Sequence, residues 1–113
     1  MYIADGKTNG PAFSWPDGKR IAVMVTFDYD AEFLRISRAK SKGTSIGFTD
    51  FSRGQYGPHE GLARCLDMLD TMNIKSTFFV PGAVIETYRD TVEEIHRHGH
   101  ELACHGYRHE SDP

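Results

Sequence analysis

An α/β fold with parallel strands in the order β–α–β–α–β is what the sequence predicts. Three observations carry this reading. Residues 21–27 (Ile-Ala-Val-Met-Val-Thr-Phe) form an unbroken apolar run rich in β-branched side chains, the mark of a strand buried on both faces. A second such run, residues 76–80, stops at Pro81-Gly82, and a third short one covers residues 101–104. Between the runs, apolar residues recur at helical spacing. Strands joined through helices in one sheet take parallel, right-handed crossovers.

The elements follow in order. Residues 1–20 read as loop, with Gly6, Gly10, Pro11 and the turn Pro16-Asp17-Gly18. The strand at 21–27 delivers Asp28-Tyr29-Asp30. Residues 31–57 are polar, locally basic through Arg35, Arg38, Lys40 and Lys42, and punctuated by Gly43, Gly47, Gly54 and Gly57. They read as one long loop of the functional, oligomer-forming or mobile kind. A helix then opens on Pro58 as a first-turn proline and aligns Leu62, Cys65, Leu66, Leu69 and Met72 on one core face. Asn73 ends it. Residues 84–98 form a second helix, with Val84, Ile85, Tyr88, Val92 and Ile95 on one side and Gly99 as its cap.

Composition excludes several classes. The chain has 113 residues, 39% hydrophobic and 26% charged, with a net charge of −3. That is an ordinary globular balance, neither disordered nor fibrous. The slightly acidic charge predicts neither a nucleic-acid nor a membrane partner. No run approaches the ~20 apolar residues of a membrane span, and residues 1–7 lack the apolar core of a signal peptide. The expected location is the cytoplasm. Cys65 and Cys104 fit no CxxC spacing and read as small buried hydrophobes in a reducing compartment.

Parallel α/β sheets place chemistry at the carboxyl ends of their strands. The first strand ends in Asp28 and Asp30, which an extended chain points to one side. The third ends in His105-Gly106-Tyr107-Arg108-His109. If that segment turns helical, His105 and His109 share a face. Two imidazoles and one carboxylate, with positions left open, are the ligand set of a catalytic zinc-type site. His96, His98 and His100 read instead as surface imidazoles near a helix C-terminus, and His59 as an exposed first-turn residue.

Three blocks together resemble a known family: Val25-Thr26-Phe27-Asp28-Tyr29-Asp30, residues 74–82, and residues 99–109. They stand in the order found in the polysaccharide deacetylases (NodB-homology, carbohydrate esterase 4). The resemblance implies that residues 1–113 are the N-terminal β-α-β-α-β portion of a single catalytic domain, a distorted (β/α) barrel. It implies metal-dependent hydrolysis of an amide bond, removing acetyl from an N-acetylated sugar or polysaccharide. The cofactor is one divalent ion, zinc by expectation, held by Asp30, His105 and His109. Asp28 matches the position of the general base. The family's two aspartates are adjacent, whereas here Tyr29 separates them, as in the branch of intracellular peptidoglycan-deacetylase-like proteins and cyclic-amide hydrolases. The family's general acid and substrate walls belong to later motifs.

A full barrel takes ~250 residues, so the sequence predicts a companion chain, or the rest of a longer protein, completing it. The complete protein is expected to be a homo-oligomer acting on an amide-containing small molecule or sugar. Two alternatives stand beside deacetylation. One is a ring-opening cyclic amidase of the allantoinase or cyclic-imide type, the other a non-catalytic, His-rich metal-binding domain.

Overall fold

Three strands form one parallel sheet in the order β1 (Thr26–Asp28), β2 (Thr77–Val80), β3 (Glu101–Cys104). The structure, a computed structural model, describes residues 14–110; the first thirteen residues of the loop predicted over 1–20, and the last three residues of the chain, lie outside that range. Thr26 pairs with Thr77, and Thr77 with Glu101, so the carboxyl ends of all three strands lie along one edge. The predicted α/β class and the parallel arrangement hold. The Pro16-Asp17-Gly18 turn is present, with Asp17 and Gly18 both left-handed and Lys19 N–H donating to the Pro16 carbonyl.

The first strand is shorter than the apolar run predicts. Pairing begins at Val25, whose carbonyl accepts from Thr77 N–H at 3.2 Å. Residues 21–24 precede the start of β2 and find no ladder partner, and Met24 is 87% exposed. An apolar run records a preference for burial, but a strand requires a neighbour. The expectation of two covered faces is corrected in the same way. Phe78 and Val80 of β2 are buried, whereas Thr77 and Phe79 are half-buried and most of β3 is exposed. Among the described residues, helices cover one face only.

Residues 31–57 are not a loop. They hold α1 (Phe33–Ser41) and α2 (Phe48–Tyr56), and α2 runs through a widened turn at Gly57–Gly61 into α3 (Leu62–Thr71). Gly54 stands inside α2 because a Cβ there would overlap the Cα and Cβ of Glu32. Pro58 therefore sits mid-helix rather than in a first turn. It lacks an N–H and its ring crowds the preceding turn. The backbone accommodates it with a π turn, in which Leu62 N–H donates to Gly57, five residues back.

Leu62, Leu66 and Leu69 of α3 enter the core as predicted, while Met72 is exposed and Cys65 half-buried. Asn73 closes α3 with φ 52°. The second predicted helix is two, α4 (Gly82–Thr87) and α5 (Arg89–Arg97), separated by Tyr88 at φ −124°, ψ 45°. Val84, Val92 and Ile95 are buried against Phe78, Leu66 and Leu69; Ile85 is exposed. Gly99 follows α5 with φ +75°, as a C-terminal glycine should. Cys104 is exposed rather than buried.

His100 is the one histidine that leaves the surface. It is 4% exposed and lies 5.4 Å from the Phe78 ring. Its Nδ1 accepts from Ser76 N–H at 3.3 Å, which assigns the proton of the neutral ring to Nε2. Burial, reinforced by Lys75, holds its pKa below the ordinary 6.5. The folded state therefore resists a proton that the unfolded chain accepts near 6.5. Stability from this group is complete above that value and is lost as the pH falls below it. Urea midpoints of the wild-type chain should fall just below pH 6.5, and His100→Asn, which does not titrate, should flatten that slope.

Candidate metal centre

Asp30 and the two histidines reach one point from opposite sides of β2. Asp28 closes β1, and Tyr29 N–H continues the ladder by donating to the Phe79 carbonyl at 2.9 Å. Along 28–30 the side chains alternate: Asp28 exposed, Tyr29 buried, Asp30 half-buried. This is the period of an extended chain, and it keeps both carboxylates off the core. His105 leaves the end of β3, with its ring 6.3 Å from that of Phe79.

One ligand atom each from Asp30, His105 and His109 lies within 4.8 Å of the others. His105 Nε2 is 3.5 Å from Asp30 Oδ1, and His109 Nε2 is 3.7 Å from Asp30 Oδ2. These spacings exceed a good hydrogen bond. Asp30 Oδ1 and His105 Nε2 are buried with no hydrogen-bond partner. Burial lifts the Asp30 pKa above its ordinary value; His109 and His105 oppose the rise, while Asp28 adds to it. A carboxylate and an imidazole facing one another unbonded, both shielded from water, leave a gap that a cation satisfies. Cations of the divalent N/O-binding class suit this donor set.

The histidines do not meet by helical spacing, as the sequence suggests they could. Residues 105–110 form a tight non-helical loop in which Gly106 and His109 have φ of 71° and 57°. Three attachments hold it. Gly82 and Ala83 at the start of α4 donate N–H bonds to the carbonyls of Gly106 and Tyr107, at 3.0 and 2.8 Å. The Glu110 carboxylate accepts from Tyr107 and Arg108 N–H, which lowers its pKa. Ser37 of α1 donates to the His109 carbonyl at 2.7 Å. Pro81-Gly82, legible as a strand stop, is also the loop's seat, and Ser37 and Glu110 carry no sequence signal that singles them out.

Tyr29, the residue between the aspartates, is buried with its hydroxyl 2.8 Å from Thr91 Oγ1. Desolvation is the main cause of a pKa pushed up to about 12. Arg108 and Glu110, on either side of His109, line a cleft of about 320 Å³ with Phe33, Ile36, Ser37 and Lys40.

A parallel α/β unit with an Asp-His-His cluster at its carboxyl edge is an arrangement that could hold a metal ion. Comparison with known proteins then fixes the family. The family model described as polysaccharide deacetylase matches residues 16–112, and the chain belongs to that family. A peptidoglycan deacetylase of Helicobacter pylori is 37% identical over 93 residues, covering 82% of this chain and 31% of that protein. A peptidoglycan deacetylase-like protein of Gibberella zeae is 32% identical over 94 residues, covering 81% and 27%. A crystal structure from Mycobacterium smegmatis, assigned as a polysaccharide deacetylase, matches with a TM-score of 0.77 and 42% identity, covering 92% of this chain and 36% of that one. The chain thus spans about a third of these relatives' length. Among the described residues no helix is long and apolar enough to cross a membrane.

The loop's seat gives a direct test. A Cβ on Gly82 would lie 2.6 Å from Tyr107 Cδ2, so the ring or the loop must move. Gly82→Ala is expected to weaken divalent-metal binding in calorimetric titration, more than the exposed substitution Arg97→Ala does.

Proposed function

We propose that this chain carries the metal-binding part of an amide-hydrolysing active site, which in the whole protein removes acetyl from an N-acetylated sugar or polysaccharide. The convergence of Asp30, His105 and His109, with buried unbonded atoms facing one another, is the observation that carries it. The ion held there would be zinc by the chemistry of the donors, two imidazoles and a carboxylate. Such an ion supplies Lewis acidity, polarising an amide carbonyl and making water more acidic. Three protein ligands leave room for substrate or water, whereas structural zinc takes four.

Asp28 is the general base in this reading. It is exposed, on the same side as Asp30, and its charge is felt by Asp30. It would accept the proton that attacking water gives up, while His105 and His109 would offer ring nitrogens to the ion. Tyr29 excludes water from beneath the pair. The edges of β1 and β3, with Met24 and Leu102 exposed beside them, would receive the remaining strands of the barrel from a companion segment.

In the full chain, Asp28→Asn should lower turnover about 10²–10⁴-fold with metal content unchanged. His105→Ala should lose metal and activity together. Acetate release from N-acetylglucosamine oligomers and elemental analysis measure the two effects. Metal lost in Asp28→Asn but retained in Asp30→Asn would reverse the two aspartates' roles. Ring opening of cyclic imides without acetate release would assign the cyclic-amidase class instead.

A further inference from the structure

Around Asp30 the backbone is fastened on both sides to the start of α5, at Tyr88 just before it and Thr91 in its first turn. On one side Tyr29 Oη meets Thr91 Oγ1 at 2.8 Å. Thr91 spends its own hydroxyl proton on the Tyr88 carbonyl, also at 2.8 Å, so Tyr29 is the donor. On the other side Glu32 folds back into the interior, only 5% exposed. Both its carboxylate oxygens accept from Tyr88 Oη, at 3.0 and 2.9 Å. Tyr88 and Thr91 lie one helical turn apart and are bonded to each other, so the two attachments form one clasp. Asp30 itself takes no part in it.

The clasp spans a strained corner. Ala31, between Asp30 and Glu32, has φ 50°, a left-handed conformation that residues other than glycine rarely adopt. Such a conformation persists where the surroundings over-determine it. Here they do: Glu32 is gripped by Tyr88, and the bare backbone of Gly54 lies against Glu32. Phe33 N–H closes the corner by donating to the Asp30 carbonyl at 3.1 Å.

We propose that Tyr29 and Glu32 are positioning residues, and that their clasp on Thr91 and Tyr88 sets the direction in which Asp30 presents its carboxylate to the metal. The extra residue in Asp28-Tyr29-Asp30 is then an anchor rather than a spacer. It takes the core-facing position between two outward carboxylates and ties the strand end to α5. The inference rests on the metal reading of Asp30, His105 and His109.

The test uses the full chain loaded with cobalt(II), whose visible spectrum reports the geometry of its ligands. Tyr88→Phe removes the hydroxyl that grips Glu32 while keeping the ring, and Tyr29→Phe does the same for Thr91. Each should weaken cobalt binding about 10- to 100-fold and alter the cobalt spectrum of the saturated protein. Glu32→Ala should behave likewise, whereas Glu32→Gln, whose amide oxygen still accepts from Tyr88, should restore most of the affinity. A lower Tm with unchanged cobalt affinity and spectrum in both phenylalanine variants would overturn the clasp and leave the metal site standing. An unsubstituted chain that binds no cobalt or zinc would overturn both the metal reading and the clasp's role in it.

Discussion

The parallel register of three short strands is the constraint from which the site follows. Because Thr26, Thr77 and Glu101 stand side by side, Asp28 and Cys104 finish on one edge, with β2 between them. The chain leaving β1 and the chain leaving β3 then emerge over the end of the same strand, near Phe79. Helices on a single face fix this register: Phe78, Val84 and Ile95 are almost wholly excluded from solvent, and each such side chain contributes ~1.5–3 kcal/mol. Moving one strand by one residue would turn Phe78 outward and carry Asp30 away from the histidines.

Local electrostatics are arranged against this background. Asp30 is desolvated beside two imidazoles that approach without bonding it well, while Asp28 on the same side stays in water. The two carboxylates thus have different surroundings although only Tyr29 separates them. Two other buried polar side chains do find partners: Glu32 takes both bonds from Tyr88, and His100 Nδ1 accepts the Ser76 amide. Unbonded buried atoms also occur at Ser76 Oγ and His100 Nε2; the Asp30 Oδ1–His105 Nε2 pair sets two such atoms 3.5 Å apart.

Much of the centre was legible because its residues follow strand signals. Period-two alternation placed Asp28 and Asp30 together, and the third strand led directly to His105 and His109. The missed features each depend on a partner distant in sequence. Gly54 reads as loop punctuation until Glu32 lies against it; Met24 reads as core until no strand stands beside it. Glu32 looks like one more surface carboxylate, since nothing near it reveals Tyr88. His100 looked exposed because a helix-end histidine usually is, and only its pairing with Ser76 draws it under Phe78. The i, i+4 spacing of His105 and His109 leaves helix or turn open; Gly106 and the α4 amides decide for a tight turn.

The strand pairings differ in how much chain they enclose. Thr77 and Glu101 are 24 positions apart, whereas Thr26 and Thr77 are 51 apart. Loop closure therefore disfavours the second pairing by about 0.7 kcal/mol relative to the first. The β2–α4–α5–β3 unit also contains its own closing contacts, from Val84 and Ile95 to the seat of the histidine loop on Gly82 and Ala83. Chain entropy thus favours assembly of the imidazole pair within a self-contained segment. The carboxylate arrives by docking β1 across the long α1–α3 excursion, so formation of the centre requires the less local of the two strand pairings.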